Sequence, residues 1–134
     1  MKLGFEQKKY VCLSSSIFAL PAIYALYRGI MYYPYINAAI TLASLNYWRN
    51  PENDWRRTID MSIAHGSFVY YFIDGYRNLK NITFLFGVLC TCNMGYNYLY
   101  SHFLYKCENK NWWKFHIMFH LHVIFQQMLI LYHL

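Results

Sequence analysis

Five side chains have the types and spacings that chemistry needs: Ser44, Asp60, His65, His116 and His120. His116 and His120 stand four apart, so on a helix their imidazoles share one face and can chelate a single ion. A catalytic zinc takes three protein ligands and leaves a fourth position for water. His65 is the candidate for the third ligand, with Asp60 as a fourth ligand or as the group that orients a histidine. Water on such a zinc is acidified enough to attack a carbonyl carbon, so the chemistry would be hydrolytic. A plainer account exists. Asp60, His102 and His116 lie close to flanking charges, where they can reach lipid headgroups or each other. A His-x-x-x-His pair with no internal Glu is also far less specific than the metalloprotease motif.

The elements that must position these residues are membrane helices. Of 134 residues, 57% are hydrophobic, 22% aromatic and 13% charged, whereas a soluble domain carries roughly 25% charged residues. The apolar load excludes disorder, 6 Gly exclude collagen, and the length excludes a large multidomain protein. The mean hydropathy of +0.12 is low because 15 Tyr and 6 His are penalised on such scales. Charge-free runs extend over 10–27, 29–48, 61–73, 81–105 and 115–134. A span takes about 20 helical residues. Four runs suffice, and the third does so if Asp60 and Asp74 lie at its ends. The expected architecture is an all-α, polytopic transmembrane bundle of about five helices. It forms a single domain over 1–134, with spans near 10–27, 29–48, 58–76, 81–105 and 112–134. Trp48, Trp55, Trp112 and Trp113 fall at span ends, where interfacial Trp concentrates. Pro21 and Pro34 are expected to kink the first two helices. Ala19-Leu20-Pro21-Ala22 loosely fits a leader cleavage site, but the stretch is read as the first helix.

Basic residues set the orientation. Lys2, Lys8, Lys9, Arg49, Arg56, Arg57, Lys106, Lys110 and Lys114 fall on one side, against Arg28, Arg77 and Lys80 on the other. The positive-inside rule then places the N-terminus in the cytosol and the C-terminus opposite. The net charge of +6 is dispersed over loops, without the stripe a nucleic-acid site needs. Cys12, Cys90, Cys92 and Cys107 read as apolar filler rather than a disulfide or zinc framework. Polar residues inside the spans form stripes: Asn37, Thr41 and Ser44; Asp60, Ser67 and Asp74; Asn93 and Asn97; His116, His120 and Gln127. Counted from the nearest flanking charge at about 1.5 Å per residue, Ser44, Asp60, His65, His102, His116 and His120 gather in one layer under the cytosolic face.

The order Ala43-Ser44-Leu45-Asn46-Tyr47-Trp48, then Thr58-Ile59-Asp60, then His116-Ile-Met-Phe-His120 resembles the alkaline ceramidase and adiponectin-receptor-like superfamily. Those proteins are seven-helix bundles that hold zinc for lipid amide hydrolysis. The resemblance covers fragments of three helices and implies roles for Ser44, Asp60, His116 and His120. Trp48 stands where that family has its first His, four residues after the Ser, so His65 would have to substitute. The competing class is a small non-catalytic membrane subunit or scaffold, packed through its aromatic surface against other membrane subunits and the lipid bilayer. A channel lacks a filter-like loop, and a retinal protein lacks a Lys inside a span. The composition leaves the membrane open: cellular, organellar or viral. Between subunit and hydrolase the sequence leans slightly to the subunit.

Overall fold

The structure, a computed structural model, describes residues 4–52 and 54–134. Among these residues the fold is all-α. The order is α1 (Phe5–Ser16), α2 (Ala19–Tyr27), α3 (Tyr32–Trp48), α4 (Trp55–Asn78), α5 (Asn81–Lys106) and α6 (Trp112–His133). α1 and α2 continue one another across Ile17 and Phe18, which leaves five helical segments. Two of them, Phe5–Tyr27 and Trp112–His133, are long and apolar enough to cross a membrane. α3 has 17 residues, while α4 and α5 interleave Asp, Asn, His and Tyr with their apolar residues.

The break between α1 and α2 has a local cause. Pro21 lacks an N–H, and its ring crowds the carbonyl four residues back, that of Ile17. The Leu20 N–H bonds that carbonyl instead, at 2.9 Å. Just before the break, the hydroxyls of Ser14 and Ser15 donate to Val11 O and that of Ser16 to Leu13 O. Such back-bonding bends helices. Pro34 behaves differently from the expectation: α3 runs unbroken from Tyr32 to Trp48. Pro34 sits in the first turn, where its missing N–H would have had no intrahelical acceptor anyway. α4 starts on Asp54, whose carboxylate accepts from the Arg56 N–H at 3.0 Å. That is an N-cap in the usual sense.

Two ends can be told apart. At the basic end, Gln7 donates to Lys110 O at 3.2 Å and Tyr10 stacks on Trp113 with centroids 5.2 Å apart. At the far end, Arg28 donates to Tyr132 O at 3.2 Å, next to the two-residue turn Leu79–Lys80. α5 lies along α6, α3 lies between α2 and α4, and α1 and α2 pack on α3 and α6. Consecutive helices α4 and α5 touch only sparsely.

The core follows this division. The far end holds Ala25, Tyr33, Tyr71, Leu79, Ile130 and Leu131. Close approach there depends on two glycines. A Cβ at Gly75 would stand 3.0 Å from Ile130 Cδ1, and one at Gly87 would stand 2.9 Å from Leu79 Cδ1. Phe18, Ile40 and Ile124 fill the middle. At the basic end Val11, Leu104 and Trp112 pack with Trp48 and Tyr100.

Candidate functional site

α4 and α5 are held together at the far end and diverge toward the basic end. Between them, backed by α3 and α6, lies a cavity of about 630 Å³, within the usual range for small-molecule sites. Its walls combine apolar Phe18, Ile40, Met94 and Val123 with a polar stripe from α6. That stripe is Trp112, His116, His120 and Gln127, whose spacings of four, four and seven keep them on one helix face.

Ser44 and Asp60 meet in the back wall. Ser44 is 5% exposed, and its hydroxyl donates to Asp60 Oδ1 at 2.5 Å. One bond thus joins α3 to α4 and satisfies two polar groups in an apolar interior. His116 and His120 also come together, with ring centroids 4.6 Å apart. His120 is buried, and its Nδ1 lies 2.9 Å from Ser14 Oγ. The Ser14 hydroxyl also donates to Val11 O at 2.9 Å. One hydroxyl proton cannot serve both. The arrangement that satisfies all three atoms has Nδ1–H donating to Ser14, which leaves His120 Nε2 as a bare acceptor.

His65 does not join this pair. It is exposed at the cavity rim, with Nδ1 donating to Met61 O at 2.6 Å in its own helix. Asp60 and His65 are five residues apart, about 140° around a helix, so turning Asp60 inward turns His65 out. Among the described residues, no three His, Cys, Asp or Glu side chains come close enough to share a metal ion. The expected zinc set of His65, His116 and His120 is therefore not assembled. The third place beside the imidazoles belongs to Trp48, whose ring lies 4.8 Å from that of His116 at 63°. Its indole donates a hydrogen bond and offers a metal no lone pair. The residues present do not fit a three-ligand zinc.

Three buried polar atoms on the cavity-lining stripe have no hydrogen-bond partner: Trp112 Nε1, His116 Nε2 and Gln127 Oε1. Orphans of this kind cost about 1–3 kcal/mol each when nothing pairs with them. None of the three is accessible to water, so they lie within the cavity wall rather than on its surface. His102, Ser101 and Tyr105 line the cavity from α5. Sequence reasoning grouped Gln127 with the two histidines but passed over Ser14 and Trp112. Ser14 carried a signal, since it lies five residues in from Lys9, at the depth of the other polar groups. Trp112 carried none beyond its place at a span end.

No protein-family model matches the chain, and neither a curated protein nor a solved structure does.

Proposed function

We propose that this chain is a small multi-pass membrane protein that acts as a non-catalytic subunit. On this reading its α4–α5 cleft takes an amphiphile from the bilayer. The outer surface supports the membrane part. Ile23, Leu42, Val69, Leu99 and Phe125, one from each helical segment, are all more than half exposed. Large apolar side chains exposed on every segment favour an apolar surrounding. All five segments would span, with the N-terminus cytosolic because nine of the twelve basic residues flank that side. The observation that carries the binding part is the cavity of about 630 Å³, whose lining sets apolar Phe18, Ile40, Met94 and Val123 against polar Ser101, His102, His116 and Gln127. A ligand with an apolar body and hydroxyl or amide groups satisfies both walls. Because α4 and α5 touch only sparsely, the route proposed for it is between these two helices from lipid.

The test is native mass spectrometry of the intact protein released from mild detergent. One lipid-sized adduct per chain is expected. Gly95 lines the cleft, and nothing lies within 4 Å of a Cβ added there. Gly95→Trp should therefore fill the space and remove the adduct while helicity is kept. Equal adducts on both proteins would reject the reading.

A second reading, zinc-dependent lipid-amide hydrolysis, has the Ser44–Asp60 bond and the adjacent His116 and His120 behind it but, among the described residues, no third ligand beside the two imidazoles. It requires bound zinc, which elemental analysis reads directly.

A further inference from the structure

The outer face of α5 and α6, turned away from the cleft, carries a second feature. Phe86, Leu89, Cys90, Asn93, Leu121, His122 and Phe125 line a shallow groove there. Most of it is exposed and apolar: Phe86, Leu89, Leu121 and Phe125 are 43–57% exposed. Asn93 and His122 are the exceptions. Asn93 is exposed and His122 partly so, and neither bonds another helix through its side chain; each bonds a carbonyl one turn back. Asn93 Nδ2 donates to Leu89 O at 3.1 Å, and His122 Nδ1 donates to Met118 O at 2.7 Å.

Their positions make this costly. Asn93 lies midway between Asn81 and Lys106, and His122 midway between Trp112 and His133. If these helices span, both side chains face lipid at the bilayer centre, where polar groups are least tolerated. Each also keeps unused hydrogen-bonding capacity. With its proton on Nδ1, the neutral His122 ring presents Nε2 as an acceptor, and Asn93 has a second N–H to give.

We propose that the α5–α6 outer face is the dimer interface of this protein, with Asn93 of each copy donating to His122 Nε2 of the other. This rests on the multi-pass reading above. The groove is self-complementary. A two-fold axis along the membrane normal keeps every residue at its own depth, so it pairs 93 with 122 and 122 with 93 at once. The two residues share one depth and supply one donor and one acceptor, which is what that symmetry demands. Phe86 and Phe125 of one copy then pack into the groove of the next. Interhelical hydrogen bonds of this type are a common attachment between membrane helices.

The experiment is Förster transfer between donor- and acceptor-labelled full-length chains, reconstituted in vesicles over a range of dilution in lipid. Vesicle flotation is run in parallel. Wild-type protein is expected to float and to dimerise. Asn93→Leu and His122→Leu should each weaken the dimer about tenfold, since either removes both symmetry-related bonds. The double variant should be no weaker than the singles. Mixing the two single variants should recover about threefold, because one bond of the two returns in the mixed pair. Transfer that is absent at every dilution, or unchanged in both variants, overturns the interface. So do losses that multiply in the double variant. Failure to float overturns the multi-pass reading instead, and the two failures are read separately.

Discussion

The two ends of the bundle solve the same packing problem in opposite ways. At the far end, two glycines let helices close on Ile130 and Leu79, and polar groups pair across helices there, Asn37 Oδ1 excepted. Tyr33 OH donates to Asp74, and Asn37 Nδ2 bonds Tyr71 OH at 2.6 Å. At the basic end the same α4 and α5 separate, and polar side chains line a cavity, with Trp112 Nε1 and His116 Nε2 unpaired in its wall. On the proposed reading the far end closes the bundle and the basic end takes a ligand.

The largest effect should come from cutting into the closed end. Ile130 is fully buried among Tyr33, Tyr71 and Leu79. Ile130→Ala is expected to destabilise by about 2–5 kcal/mol, read as a fall in thermal midpoint in detergent. A change in midpoint no larger than that of an exposed control such as Leu99→Ala would show that the far end is not the stable half.

A pair of glycine variants sharpens the contrast. Gly75→Leu drives a side chain into Ile130 and should cost about 1–3 kcal/mol by overpacking. Gly95→Leu enters open space and should be neutral or stabilise by up to about 1 kcal/mol, since Leu is the better helix former. Comparable losses in both would mean that the two ends are packed alike.

How much of this was legible beforehand depends on what sequence encodes. Helical character and the number of segments follow from charge-free runs bounded by charged residues, and the observed helices keep to that pattern, α4 extending past Asp60 and Asp74 at either end of its run. Position along a helix was legible too, because it is a count of residues along the axis, and it set Ser44 level with Asp60. Facing was legible only within one helix. His65 could be seen to diverge from Asp60 by about 140°, yet which helix α4 would meet was not encoded in spacing. Neighbourhood depends on tertiary packing: Ser14 reaching His120 links residues 106 apart in the chain. Trp48 beside His116 is another such contact. Pro34 illustrates a third limit, since a proline's effect depends on whether it falls in the first turn or farther along.

The smallest effect belongs to the loop at the basic end. Arg56 beside Asp54 holds that carboxyl below its ordinary range, helped by the capped backbone N–H groups. A depressed folded pKa contributes stability that is fully present above the unfolded value, about 3.9. It is lost as pH falls through the lower folded value. Asp54→Asn keeps a capping oxygen and should flatten the acid limb of the stability curve slightly. An acid limb identical to wild type would remove Asp54 from the acid response.

The central claim is that the basic-end cavity binds a ligand and lacks a metal centre because Trp48, not a third imidazole, stands against His116. The most direct measurement is zinc per chain by elemental analysis of purified wild-type protein beside Trp48→His. That variant would place a third ring nitrogen at the same position. The expected result is no zinc above background in wild type and one zinc per chain in Trp48→His. One zinc per chain in wild type, lost in His116→Ala, would contradict it and transfer the cavity to the hydrolase reading.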